Sequence, residues 1–435
     1  MWGTHWVIDL EKRGIPTAYV VDQPFEADVQ ITCDKEGVSR LRRVVVTHPC
    51  GDVSYEQFAE IMPQLVQALT HPLSHEEQFP KTKEAEKPAR LVFEGTLEEV
   101  DRFFYKRGWT DGLPIFPPTE EAVREMLKGT NHSPDEVVTT NMMPESLTVT
   151  VEKVAVIGAM TGCEPQYMPV LLSAVEAFGR DNFSSQVRST SSFCFAIIVN
   201  GPIAKKIGMN SGINALGAGT GNKANARIGR FLRLAIICLG GSRSGLNDLS
   251  TLGHPGKYSF CFTENVERSP WEPFHVSAGY QREESVVCIL GGGWNHSGPF
   301  SHNDLNEIAH AITTYEYPSG VLVVMDPMAA RRASGKGYTK QQAEEYIWSQ
   351  ATRTVAEFRA DFHYPGFIEP VLKGRTGSPD RPVWPAHYLD LPPDAVVQVF
   401  PRGQVRIVVV GGETNPITQV WQMARPAWVV TDKWK

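Results

Sequence analysis

Four places in this chain bring together side chains that could attack carbon, move a proton or hold an anion. Cys163 stands in the turn Gly162-Cys163-Glu164-Pro165, between a predicted strand and a predicted helix. A helix N-terminus offers unpaired N–H groups and a positive dipole end, both of which stabilise a thiolate. Cys163 is therefore a candidate nucleophile; the alternative is a small apolar side chain filling the core. His254 and Lys257 lie together in Gly253-His254-Pro255-Gly256-Lys257, able as a local pair to bind an anion or shuttle a proton. Solvated loop side chains are the plainer reading.

The strand predicted to follow would put Lys257, Ser259, Cys261 and Thr263 on one face and Tyr258, Phe260, Phe262 and Glu264 on the other. At ~3.3 Å per residue, His254 and Glu264 would then stand roughly 30 Å apart, too far to be partners unless the chain bends. A third place is the stretch "MNSGINALGAGTGNKANARIGRFLR". Gly217, Gly219 and Gly221 bare the backbone before a helix, making an anion cradle with Asn210, Ser211, Asn222, Asn225 and Arg227 at hand. The pattern is neither a phosphate-binding P-loop nor a complete dinucleotide fingerprint, and a tight structural loop would need the same glycines. Arg227, Arg230 and Arg233 follow at helical spacing, as a solvated or interfacial ridge would. Fourth, Trp109 and Asp111 in "GWTDGLP" could line a pocket, or simply pack and cap a turn.

Other chemistries lack their residues. His296, His302, His310 and Asp304 match no familiar zinc spacing, and no H-E-x-x-H is present, so no metal site is expected. His302-Asn303-Asp304 instead suits a helix start capped by Ser301 or Asn303. No G-x-S-x-G supports a serine hydrolase. The seven cysteines, Cys33, Cys50, Cys163, Cys194, Cys238, Cys261 and Cys288, are odd in number and never spaced C-x-x-C. That usage points to a reduced, cytoplasmic protein.

Positioning these residues requires an α/β framework. A helix opens the chain, followed by short apolar strands at Thr17–Val21 and Arg43–Thr47, the latter ending at His48-Pro49, and by helical spacing from Tyr55 to Leu69. This predicts a small parallel-sheet βαβ unit over 1–73. A polar linker spans 74–92, and a large α/β domain with a mixed sheet spans 93–435. There, helices are expected at 96–106, from 120 with Thr119 as cap, and at 168–178, 223–239, 304–313 and 339–360. Strands are expected at 147–157, 193–200, 258–263, 286–290, 321–325 and 405–410. The tail "VRIVVVGGETNPITQVWQM" reads as strand, glycine turn, helix.

With 435 residues the chain suits two domains, one small and one large. A hydrophobic share of 42% fits a sizeable core, and a net charge of −7 argues against nucleic acid or an anionic membrane as partner. No apolar run reaches the length of a membrane span, and no signal-peptide pattern opens the chain. Self-association is expected from the aromatic-rich strands and 10 tryptophans, without an assignable interface.

The opening "WGTHWVIDLEKRGIPTAYVVDQPFE" resembles the first domain of the UGSC-type (seleno)protein family. That domain is similar in turn to the selenocysteine subunit of the glycine/betaine reductase substrate component. "GWTDGLPIFPPT", "GAMTGCEPQYMPVLLSAVEAF", "IVNGPIAKKIGMNSG", "NARIGRFLRLAI" and "GHPGKYSFCFTENVERSPWEPFHV" extend the resemblance along the large domain. The resemblance implies a flavodoxin- or Rossmann-like redox-type domain over 1–73 and a substrate domain over 93–435. It also implies a motif of selenocysteine or cysteine, two residues and cysteine just before the first helix, where Met1 stands. Either that motif lies upstream of Met1, or the domain is only a scaffold. The activity implied is thiol- or selenol-based reductive cleavage of a bond from carbon to a heteroatom in a small anionic substrate. The redox thiol or selenol would then come from upstream of Met1 or from a partner protein, unless Cys163 is itself the reactive thiol. Two other readings stay open: a redox-independent lyase or hydrolase using His254, Lys257 and Glu264, and a non-catalytic subunit of a reductase complex.

Overall fold

A computed structural model of the chain describes residues 2–38, 41–47, 53–72, 74, 89–180, 183–298, 305–314, 320–361, 363–375 and 383–435. His48-Pro49, Cys50, most of the expected linker and the sequence 301–304 lie outside them.

The N-terminal unit contains α1 (Trp2–Lys12), β1 (Tyr19–Asp22), α2 (Glu26–Lys35), β2 (Arg43–Val46) and α3 (Tyr55–Thr70). β1 and β2 pair in parallel, Tyr19 opposite Arg43. Ile8, Val21, Val29, Cys33 and Leu41 make its small core. No apolar stripe announces α2, because the face it buries carries Asp28 and Thr32 beside Val29 and Cys33. Those two polar residues meet the rest of the molecule. Arg188 donates to Thr32 Oγ1 at 3.3 Å and to Glu145 Oε1 at 2.6 Å, and its Nε lies 3.9 Å from Asp28 Oδ1.

Thr96 and Glu99 form a capping box that starts α4 (Leu97–Lys106), and Thr119 Oγ1 caps α5 (Glu120–Leu127). An antiparallel hairpin of β3 (Val137–Met142) and β4 (Leu147–Thr150) follows, then α6 (Val151–Met160) and α7 (Met168–Arg180). The strand expected over 147–157 is thus mostly helix. A continuous apolar run suits a buried strand and a buried helix equally. Here Val151, Val154, Ala155, Ile157 and Met160 are packed inside a helical layer. α7 is buried from Met168 to Phe178, and its one acid, Glu176, accepts from Trp434 Nε1 and Lys433 Nζ.

The large sheet is mixed, in the order β11 (Val405–Val409), β8 (Val321–Met325), β12 (Thr418–Val430), β7 (Val286–Gly298), β5 (Cys194–Asn200), β6 (Cys261–Phe262). β11 runs parallel to β8 and β5 to β6; the other pairings are antiparallel. Alternate residues face opposite cores. Ile197, Val199, Val287 and Ile289 pack with α6, α7 and α8 (Lys223–Cys238), while Ala196, Ile198, Cys288 and Leu290 pack with Phe260, Phe262 and Phe274. α9 (Leu305–Ile312), α10 (Pro327–Gly335) and α11 (Lys340–Gln350) cover Val321, Val323, Ile407 and Val409. β11 is an edge strand, and Glu344 Oε1 of α11 accepts from its Ile407 N–H at 2.8 Å.

Three more expectations are corrected. The strand predicted at 258–263 shrinks to Cys261–Phe262, preceded by a 3-10 turn at Pro255–Lys257. The helix predicted at 339–360 ends at Gln350; β9 (Thr352–Thr354) then pairs with β10 (Val396–Gln398) before a short helix at Val355–Arg359. The tail after the glycine turn is a strand, not a helix. β12 sits between β8 and β7, with register shifts near Trp421 and between Ala424 and Ala427 that blur its alternation.

Candidate functional site

α8 carries Arg227, Arg230 and Arg233 at three-residue spacing, and each is drawn to a different element. Arg227 donates to the Gly162 carbonyl. Arg230 grips both oxygens of Asp111 at 2.8 and 2.9 Å and donates also to the Leu113 and Pro114 carbonyls. Arg233 donates to Asp248 Oδ2 at 2.9 Å. The ridge expected to be a solvated or interfacial face is thus a row of ties to other elements of the chain. The last two hold the turn after α4 and the loop after α8 to one helix, and between these lies a cleft of about 830 Å³. That volume falls within the range of small-molecule sites.

Lys106, Arg107, Asp111, Arg243, His254 and Lys257 are among its lining residues. The sequence-predicted His254, Lys257 and Asp111 are thus brought together. Lys257 has its three donors committed: two to the Asp248 oxygens at 2.8 Å and one to Ser250 Oγ at 2.7 Å. Burial pushes the Lys257 pKa down, against the upward pull of Asp248. Burial acts to raise the Asp248 carboxyl, but the Lys257 bond and the Arg233 charge outweigh it and leave the pKa low. His254 is a tie rather than a shuttle. Its Nδ1 accepts from Gly256 N at 2.9 Å, its ring also bonds the Gly293 backbone, and burial holds it below the usual histidine range. Its role as acid–base partner of Lys257 therefore lacks a free nitrogen.

Three cations of the cleft are left for a ligand. Among the described residues Lys106, Arg107 and Arg243 have no ion pair, and all three are exposed. Arg107 lies over the Phe103 and Trp109 rings at 4.7 and 5.3 Å, which orients its guanidinium. Trp109 stands behind the turn, edge-on to Phe104 at 5.5 Å, and does not line the cleft. Of the cleft's residues, His254, Lys257, Asp111 and the arginine ridge left a signal in the sequence. Lys106, Arg107, Arg243 and Asp248 belong to no motif.

The glycine loop is a closed structure. Asn225 Oδ1 accepts from Asn210 N, and its Nδ2 donates to the Asn210 and Ala215 carbonyls. Asn222 accepts from Asn210 Nδ2 and donates to the Asn214 and Gly217 carbonyls. Ser211 accepts from Gly411 N through its carbonyl. Gly219, at φ 153°, starts the 3-10 turn that leads into α8, with Gly221 inside it. With their amides spent on the loop itself, these asparagines offer an anion little.

Cys163 follows a helix, not a strand, and comes just before a 3-10 turn at Pro165–Tyr167. It is buried, its Sγ lies 3.4 Å from Thr161 Oγ1, and burial pushes its thiol up to about 12. The same holds in direction for Cys33, Cys194, Cys238, Cys261 and Cys288, each raised chiefly by burial. All six described cysteines are free thiols, and none sits in the electropositive, exposed setting that makes a thiolate. Glu264 lies away from His254, accepting from Phe274 N at 2.5 Å. Among the described residues no three His, Cys, Asp or Glu groups could hold a metal ion. His302 and Asp304 fall outside those residues, as does the environment of the His296 side chain.

The UGSC family model matches residues 2–75. Over those residues the N-terminal unit is similar to the UGSC family. The match covers that unit and does not extend to the cleft, which is built from residues beyond it. No curated protein matches the chain, and neither does any solved structure. Among the described residues, no helix is long and apolar enough to cross a membrane. The UGSC-like segment reaches the cleft's surroundings through Arg188 and Glu145, since Asn247 donates to Glu145 Oε1 at 3.2 Å and accepts from Arg243 N at 2.6 Å.

Proposed function

We propose that this chain holds a small organic anion in the basic cleft as the substrate-binding part of a thiol- or selenol-dependent reductive enzyme. The observation that carries the reading is the set of Lys106, Arg107 and Arg243, exposed and without ion pairs among the described residues, beside Arg233 and Lys257, which share the one carboxylate of Asp248. Exposed guanidinium groups suit a carboxylate or phosphate because they present paired donors in one plane.

The redox half of the reading rests on the UGSC match and on the state of the cysteines. Since burial holds the six described thiols protonated, the attacking group comes from outside the described residues or from a partner chain. The reaction balances as a two-electron reduction. The bond from carbon to the heteroatom breaks, and the heteroatom leaves with its electron pair and takes up a proton. Carbon receives hydrogen, and two thiols, or a thiol and a selenol, end as one oxidised pair. The cations of the cleft would stabilise the substrate anion during this exchange. The acid–base alternative is less well supported, because His254 and Lys257 have their nitrogens committed.

Calorimetric titration of the chain with malonate and with inorganic phosphate tests the binding half. Arg243→Gln should weaken binding about tenfold, equivalent to ~1.4 kcal/mol, and raised salt should weaken it further. Unchanged affinity in Arg243→Gln would remove the cleft as the site. Turnover that persisted after complete thiol blocking would overturn the redox half alone.

A further inference from the structure

A second cleft, of about 640 Å³, opens at the β11 edge and shares no lining residue with the basic cleft. Part of its wall is one face of α11, where Lys340, Glu344 and Trp348 recur at four-residue spacing. Phe274, Trp428 and Arg406 supply much of the rest.

Two cations line this cleft, Lys340 buried and Arg406 half-buried. Lys340 is 3% exposed, yet its ammonium donates one hydrogen bond, to the Glu272 carbonyl at 3.4 Å. The carboxylate facing it, Glu264 Oε1, is 3.8 Å away and has no hydrogen-bond partner among the described residues. Arg406 bonds Gln404 through its carbonyl and side-chain oxygens, both at 3.4 Å. An ammonium has three donors and a guanidinium five, so among the described residues both keep donors for a ligand. Burying an unfilled charged donor is costly, and a ligand anion would relieve that cost. Glu344 fills this role only in part: its charge acts on Lys340 and Arg406, but one oxygen is spent on Ile407 N and burial raises its pKa.

The apolar side of the cleft is as specific. The Phe274 and Trp428 rings lie 5.0 Å apart, and Lys340 Nζ sits 5.4 Å from the Phe274 ring. Cations beside an aromatic wall match a flat apolar body that ends in a negative group.

We propose that this cleft binds a small aromatic carboxylate, its carboxylate taking the unfilled donors of Lys340 and Arg406 and its ring lying along Phe274 and Trp428. The site is independent of the basic cleft, and its test is separable from that of the proposed function.

The full chain is titrated with benzoate and with inorganic phosphate, followed by calorimetry and tryptophan fluorescence. Benzoate should bind saturably and phosphate at least tenfold more weakly at this site. Arg406→Gln should weaken benzoate at least tenfold, with Arg406→Lys recovering part of the loss. Because Arg406 is half-buried and its replacement can disturb the fold, Ser277→Trp provides a second variant, placing bulk at the cleft's exposed lining without touching a charge. It should abolish benzoate binding while leaving the thermal melt unchanged. Absence of saturable benzoate binding, or binding that survives both Arg406→Gln and Ser277→Trp, would overturn the proposal. Phosphate binding as tight as benzoate, with the same dependence on Arg406, would overturn its aromatic part.

Discussion

At the scale of single residues, burial sets the chemistry. His254 is held neutral by desolvation, with Nδ1 engaged by Gly256 N. Its folded pKa lies below the unfolded value of about 6.5. As pH falls, the unfolded chain therefore binds this proton first, and stability declines from pH ~6.5 down to the folded value. Urea midpoints measured at pH 8 and pH 5.5 should differ less in His254→Gln than in the parent chain. Equal differences would show that His254 contributes nothing to acid sensitivity. Cys163, pushed up to about 12 and 9% exposed, should resist alkylation in the native chain. Iodoacetamide labelling at pH 7.5, mapped by mass spectrometry, should leave Cys163 no more reactive than Cys238. Preferential labelling of Cys163 would restore it as a nucleophile.

At the scale of elements, the ties from α8 matter more than the glycine loop that precedes it. Arg230 holds Asp111 with two bonds and two further carbonyls with the same guanidinium, a geometry that lysine cannot reproduce. Arg230→Lys should loosen the turn after α4, seen as faster proteolysis at residues 106–114 with α7 still protected from hydrogen exchange. Cleavage no faster than in the parent chain would make the tie dispensable. This ridge was legible as spacing but not as function, because i, i+3 periodicity places arginines on one face without saying what meets that face. Strands 43–46, 194–200, 321–325 and 405–409 were readable because continuous β-branched runs there are bounded by turns. Val151–Met160 was not, since burial of most of its residues blurs the periodicity that separates helix from strand. β12 was hidden by its register shifts, which break the alternation of a strand, and by Pro426 inside it, since proline rarely sits within a sheet. The cleft was half legible. His254, Lys257 and Asp111 were singled out, but Asp248 and Arg243 reach it from a loop with no motif, and only tertiary contact brings them there.

At the scale of the whole molecule, the UGSC-like segment is joined to the remainder through a buried charge that lacks full compensation. Asp28 is fully buried, neither carboxylate oxygen has a hydrogen-bond partner among the described residues, and Arg188 Nε stands 3.9 Å away. Burial raises its pKa, against the pull of Arg188. A carboxyl whose folded pKa is raised loses stability as pH climbs past its unfolded value of about 3.9. Asp28→Asn should therefore raise the melting temperature at pH 7 and have less effect near pH 4. A lower melting temperature at pH 7 would show that the Arg188 attraction outweighs desolvation. The edge of the large sheet has a consequence of another kind. An exposed edge strand invites a strand from a neighbouring molecule, and proteins suppress such growth with charges and covering elements. Glu344 does so here by occupying the Ile407 N–H with a carboxylate carried on α11. Glu344→Leu would free that donor and put an apolar side chain beside it. Size-exclusion chromatography should then show time- and concentration-dependent loss of the parent species into larger ones. One glutamate would thereby act as a guard against runaway self-templating.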